Sequence, residues 1–168
     1  LRIARPSKPQ DNIGYHRDTF YGGSPYELSV MIPLVTLPAE SSLGVLSGSH
    51  LRPEKDFPTT QIQSIDPQVV KGSPKHQLGF LYAPKIMDSK SIPEAQSVPL
   101  CFGEALVFSL SLVHGSIENK GTSTRWSTDT RVMNSLAPVD LSARPNYYEQ
   151  LSNSAVTAAA NEYFKVNI

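Results

Sequence analysis

The sequence predicts an all-β body of the jelly-roll or related barrel type, with eight antiparallel strands and one C-terminal helix. Three observations carry this expectation. Fourteen prolines and ten glycines among 168 residues cut the chain into short pieces and exclude long helices over most of it. The apolar runs between these breakers have strand length, and the clearest alternates with a period of two. Helical spacing is evident only near the C-terminus.

Taken in order, the strands are expected at 1–5, 12–20, 27–36, 43–48, 78–82, 105–110, 112–118 and 124–134. In 27–36 the alternation puts Leu28, Val30, Ile32 and Leu34 on one face and Glu27, Ser29 and Met31 on the other. Residues Ala105 to Leu110 are apolar at nearly every position, which predicts a central strand buried on both faces. Between Asn146 and Lys165, Tyr148, Leu151, Ala155, Ala158 and Tyr163 recur at helical spacing, and Pro145 suits a first turn. This helix is poor in large apolar groups, so it is expected to lie against a sheet. Residues 52–99 carry seven of the fourteen prolines and read as a lid or accessory insertion at the barrel mouth. The length suits one domain, 1–168, with one core.

Charge excludes two classes of function. Fifteen basic and fifteen acidic side chains cancel, and only 18% of residues are charged. That balance argues against a nucleic-acid binder and against a disordered acidic segment. The single Cys101 cannot form an internal disulfide. No apolar run approaches the roughly 18–20 residues of a membrane span. The N-terminal Leu-Arg-Ile-Ala-Arg-Pro is neither a signal peptide nor an initiator methionine, which leaves room for residues upstream. A cytoplasmic protein acting on a small molecule, with no nucleic acid or membrane partner, is the expectation.

Only four histidines occur: His16, His50, His76 and His114. His16-Arg17-Asp18 forms an H-x-D element, and strand alternation would place His16 and Asp18 on one face, close enough to share an ion. His114 opens a strand directly after the apolar run, with Ser116 on its face. Two imidazoles and one carboxylate make a facial triad that leaves three positions of an octahedral Fe(II) open. Eleven residues after His114 comes Arg125, which shares parity with Ser127, Asp129 and Arg131. If that face points inward, a planar guanidinium there suits the far carboxylate of a dicarboxylate co-substrate.

These pieces, in this order, resemble the phytanoyl-CoA dioxygenase family of Fe(II)- and 2-oxoglutarate-dependent oxygenases, built on a double-stranded β-helix. The resemblance runs through Tyr15-His16-Arg17-Asp18, then Leu43-Gly44-Val45-Leu46-Ser47-Gly48-Ser49-His50, then Gly103-Glu104-Ala105-Leu106-Val107-Phe108, then His114-Gly115-Ser116 with Asn119, and Arg125. It covers roughly 12–134 and weakens across 52–99. Two departures are visible: Ser47 stands where the family usually shows proline, and only a few residues precede Tyr15, where family members carry several helices.

The resemblance implies that His16, Asp18 and His114 hold Fe(II), that Arg125 with help from Ser116 grips 2-oxoglutarate, and that O2 is the oxidant. It further implies a small organic substrate, hydroxylated with release of succinate and CO2. Related halogenases lack the carboxylate that Asp18 supplies here, so hydroxylation, desaturation or ring closure is expected over halogenation. Arg131, Met31 and Tyr26 are the candidates for substrate contact by position alone. Trp126, of opposite parity to Arg125, belongs outside the pocket and under the helix. Two other readings exist: a cupin-like metalloprotein using His16, His50 and His114 without 2-oxoglutarate, and a jelly-roll binding module with no catalysis. The first leaves Arg125 without a role. The second does not require the complete triad.

Overall fold

The computed structural model describes residues 1–21, 23–59, 86, 92–134, 136–137, 151 and 154–164. Within them the chain runs through β1 (Arg2–Ala4), β2 (Glu27–Pro33), β3 (Leu43–Val45), β4 (Gln96–Val98), β5 (Leu106–Ser109), β6 (His114–Ser116), β7 (Arg125–Met133) and α1 (Ala155–Phe164). The strands make two antiparallel sheets. One has the order β1-β7-β2-β5 and the other β4-β3-β6. Side chains of both sheets meet in one apolar cluster of Met31, Leu37, Leu43, Leu100 and Phe108. A second cluster joins Tyr15, Leu46 and Val113 to Phe57 and Ile86. The result is the expected jelly-roll body with one short C-terminal helix. No helix among the described residues is long and apolar enough to cross a membrane.

Several strands are shorter than their sequence patterns suggest. The 12–20 run is not a strand: His16 makes a single bridge to His114, and Asp18–Tyr21 closes a 3-10 turn. Strand β3 stops at Val45, because Gly48 adopts φ 75° and starts a 3-10 turn at Ser49–Leu51. A positive φ is cheap for glycine and reverses the chain within one residue. Strand β4 lies in the 52–99 stretch that proline content marked as an excursion. The expected strand at 78–82, most of the lid at 52–99 and the helix residues 146–150 lie outside the described residues.

The faces of the larger sheet differ from what apolar content suggests. In β2 the buried residues are Glu27, Ser29, Met31 and Pro33, while Leu28, Ile32 and Leu34 face outward. On this inward face Ser29 lines a cavity with polar walls, and Glu27 accepts from Ser24 N–H at 2.9 Å. Among the described residues, strand β5 is an edge strand and not the central one expected. Phe108 is buried, but Val107 is 55% exposed beside Val30. Continuous apolar composition marks a strand without saying whether both its faces are covered. Trp126 lies on the same outer face, 39% exposed.

Glycine is required where β6 passes the ligand-bearing segment. A Cβ at Gly115 would stand 3.0 Å from the Tyr15 backbone N and Cα, atoms that cannot swing aside as a flexible side chain could. Gly115→Ala is therefore expected to destabilise the protein by about 1–3 kcal/mol, the usual cost of overpacking. Chemical denaturation measures this. An unchanged midpoint would show that the two segments are free to separate.

Candidate metal centre

The centre begins with a backbone contact. His16 N–H donates to His114 C=O at 2.9 Å, and His114 N–H donates to His16 C=O at 3.0 Å. This reciprocal pair sets the two imidazoles side by side, with ring centroids 4.5 Å apart. Each ring is then oriented by its own chain. His16 Nδ1 lies 2.8 Å from Gly14 C=O, and His114 Nδ1 lies 3.0 Å from Leu112 C=O. A carbonyl can only accept, so the proton of each neutral ring sits on Nδ1 and the lone pair on Nε2. Upstream of β6, the Val113 N–H donates to the buried Ser49 Oγ at 2.8 Å, which steadies the entry to His114.

Asp18 completes the group. Its Oδ1 is 3.3 Å from His16 Nε2 and 3.8 Å from His114 Nε2. All three side chains are buried, and their ligand atoms lie within 4.8 Å of one another. Cis ligands about 2.1 Å from an octahedral metal are about 3.0 Å apart, so the two Asp18 edges need close by less than about 1 Å, and the edge between the imidazoles by up to about 1.8 Å, around a cation. The donor set therefore fits an open-faced Fe(II) site. His16 and Asp18 converge through the turn at Asp18–Tyr21, and not by strand alternation. Between them Arg17 points elsewhere. Its Nη2 donates to Ser49 C=O and Arg52 C=O, and its guanidinium lies 4.5 Å from the Phe57 ring centroid.

Burial and neighbouring charge set the ionisation of the group. Burial pushes the Asp18 carboxyl upward. The facing His16 and His114 rings and the Arg131 guanidinium outweigh it, and the carboxyl is held well below the usual range. Burial, reinforced by the adjacent His16, pulls His114 down to about 4. Both anionic Asp18 and neutral His114 are thus the forms that bind a cation at neutral pH.

The same cavity is lined by Ser116, Arg125, Arg131 and Met31. Arg125 is 5% exposed, and burial lowers its pKa while nearby Asp129 opposes the shift. Its Nη1 donates to Ser41 C=O and Ser42 C=O at 3.2 and 3.0 Å, and its Nη2 to Ser116 Oγ at 3.1 Å. Its Nε is buried with no hydrogen-bond partner among the described residues. One edge of the guanidinium is thus spent on the backbone. The other, formed by Nε and Nη2, is a two-donor fork suited to a carboxylate. The residues present fit the far carboxylate of 2-oxoglutarate on this observation. Asp129, which shares the Arg125 face of β7, pairs with Arg2 at 3.0 Å.

The remaining candidates separate. Arg131 donates from Nη2 to Asp18 Oδ2 at 2.5 Å. Met31 is buried in the core cluster at the inner wall. Tyr26 is 57% exposed and does not line this cavity. His50 is exposed on the Ser49–Leu51 turn, away from the three ligands, so the cupin-like grouping of His16, His50 and His114 does not assemble. Sequence reasoning missed Arg17 and the structural work of Asn119. The buried Asn119 Nδ2 donates to Ala4 C=O and Ser123 C=O, tying β1 to the loop that delivers Arg125. Its place in the family motif was the available signal.

The ionisation pattern has a consequence for the metal-free protein. A group whose folded pKa lies below its unfolded value binds protons more readily when unfolded, so stability falls as pH drops through that window. For His114 the window runs from about 6.5 down to about 4. Asp18 acts in the same direction at lower pH. In the presence of chelator, the melting temperature should fall as pH is lowered from 7 to 4, and His114→Asn should flatten that slope. Parallel profiles for the two proteins would show that His114 is not buried neutral.

Comparison with known proteins agrees with this geometry. The family model for phytanoyl-CoA dioxygenase (PhyH) matches residues 3–127. Among solved structures, EvdO2 from Micromonospora carbonacea var. aurantiaca complexed with 2-oxoglutarate superposes with a TM-score of 0.54 at 20% identity, covering 77% of this chain and 47% of that one. The non-heme alpha ketoglutarate dependent carbocyclase SnoK from nogalamycin biosynthesis gives 0.50 at 18% identity, covering 79% and 47%. The chain therefore spans just under half the length of these structures, and at such identities the likeness concerns the fold. Curated proteins give no match. The family match extends over most of the chain and contains the H-x-D element, His114 and Arg125, so this chain belongs to the phytanoyl-CoA dioxygenase (PhyH) family.

Proposed function

We propose that the chain carries the active site of an Fe(II)- and 2-oxoglutarate-dependent dioxygenase that oxidises a small organic molecule, most simply by hydroxylation. The observation that carries this reading is the convergence of Oδ1 of Asp18 with the Nε2 lone pairs of His16 and His114, in one cavity with the open fork of Arg125. Family membership supports it. When bound, iron and 2-oxoglutarate supply the oxidising chemistry, in which O2 is consumed, 2-oxoglutarate becomes succinate and CO2, and one oxygen atom goes to the substrate.

The chain's own residues then have distinct tasks. His16, Asp18 and His114 hold the cation on one face and leave the opposite face for exogenous ligands. Arg125 binds and aligns the far carboxylate of 2-oxoglutarate. Ser116 orients that guanidinium through its hydroxyl. Met31, Leu43 and Phe108 make the apolar part of the wall and limit water beside the reacting group. Asp18 keeps a carboxylate where halogenases leave room for a halide, which favours hydroxylation, desaturation or ring closure.

Anaerobic addition of Fe(II) and 2-oxoglutarate should produce the weak visible charge-transfer band of the chelate. Arg125→Ala should weaken 2-oxoglutarate binding by about 2–5 kcal/mol, the scale for truncating a buried charge pair, with cation affinity little changed. Undiminished 2-oxoglutarate affinity in that variant would point to a metal-dependent enzyme using another co-substrate. Asp18→Ala should abolish substrate oxidation, and a loss under about tenfold would remove the carboxylate from the ligand set.

A further inference from the structure

Asp18 differs from the two histidines in how it is held. Each imidazole is fixed by a backbone bridge and by an Nδ1 contact to its own chain. Asp18 starts a 3-10 turn, and its side chain has no strand to define its direction. What it has is Arg131. The Arg131 Nη2 donates to Asp18 Oδ2 at 2.5 Å, across 113 residues of chain. Oδ2 is thereby engaged by Arg131, while Oδ1 lies 3.3 and 3.8 Å from the two Nε2 atoms.

Arg131 is well placed for this. It lies on β7, between β1 and β2 in the larger sheet, and its backbone is opposite Ser29 of β2. A guanidinium delivered from a paired interior strand is a firmer anchor than one on a loop. The side chain is 21% exposed against 8% for Asp18, so the pair sits at the cavity wall and not on the open surface. The family match ends at residue 127, four positions before Arg131, so it assigns this residue no role.

We infer that Arg131 is a positioning residue that keeps Asp18 a one-oxygen ligand. This rests on the reading of His16, Asp18 and His114 as the metal centre. A carboxylate can give a cation one oxygen or two. With one, the protein fills three of six positions, and three remain. With two, only two remain, which 2-oxoglutarate alone would occupy, leaving none for O2. By holding Oδ2 in a charge-assisted hydrogen bond, Arg131 withdraws it from the cation and preserves the third open position. Its positive charge also offsets that of Asp18, so the bound cation keeps more attraction for an anionic co-substrate.

The test uses Mn(II), whose bound waters can be counted by electron–nuclear resonance in H2(17)O without oxidation. The wild-type protein loaded with Mn(II) should show three bound waters, and one after 2-oxoglutarate is added. Arg131→Met should show two, and none with 2-oxoglutarate. Its affinity for 2-oxoglutarate should fall at least tenfold while its Mn(II) affinity is unchanged or higher. A residue that merely stabilised the fold would lower both affinities and leave the water count alone. Arg131→Lys, which can still donate to Oδ2, should restore three waters. Three waters and wild-type 2-oxoglutarate affinity in Arg131→Met would overturn the proposal. Two waters in the wild-type protein would overturn it without any variant. A wild-type protein that binds no Mn(II) would instead overturn the metal centre itself.

Discussion

The reciprocal backbone bridge between His16 and His114 is the contact on which the rest of the site depends. Two segments almost a hundred residues apart are joined by main-chain hydrogen bonds at the residues that supply the imidazoles. Their side chains then need only a local carbonyl each to be aimed. The bridge can form because Gly115 and Gly44 let Tyr15 approach β6 and β3 closely. A Cβ at Gly44 would stand 2.3 Å from the Tyr15 hydroxyl oxygen. Ser116 N–H donates to Ile13 C=O and continues the contact beyond the bridge. Tyr15 in turn belongs to the apolar cluster with Leu46, Val113, Phe57 and Ile86, so the site and that core share one residue run.

Around this bridge the cavity gathers charges that would be costly if isolated. Asp18 is matched by Arg131, and Asp129 by Arg2. Among the described residues, Arg125 has no carboxylate partner of its own. It relies on two backbone carbonyls and one hydroxyl, with Nε left over. A buried guanidinium satisfied only in part by the protein, at the wall of the cavity, is poised for an anion. Arg17 is equally buried and its Nε is likewise without a partner among the described residues, but it does not line that cavity: its Nη2 donates to the carbonyls of Ser49 and Arg52 and its face stacks on Phe57.

The outer face of the larger sheet illustrates a different balance. Leu28, Ile32, Val107, Trp126 and Val132 all point outward and are between 37% and 55% exposed. The inner face of the same strands carries Ser29, Asp129 and Arg131. An amphipathic strand normally buries its apolar side. Here the polar side chains face the cavity and the apolar ones face outward.

Breaker density and short alternating runs are enough to read the all-β class from the residues, and the linear order of residue types picks out the candidate site. His16, Asp18, His114, Ser116 and Arg125 are legible because histidine is scarce in this chain and because the intervals between them follow a family pattern. Those are properties of residue type and order, which a linear reading contains. Long-range pairing is what brings Asp18 to its partners from a 3-10 turn, leaves β5 at the sheet edge among the described residues, and turns the leucines of β2 outward. It also sets Arg131 against Asp18 and Asp129 against Arg2, and leaves Arg125 Nε without a partner among the described residues. Alternation is a local rule that says which residues share a face. Which face is covered, and by what, is set by pairings between segments far apart in the chain, and no local periodicity encodes them.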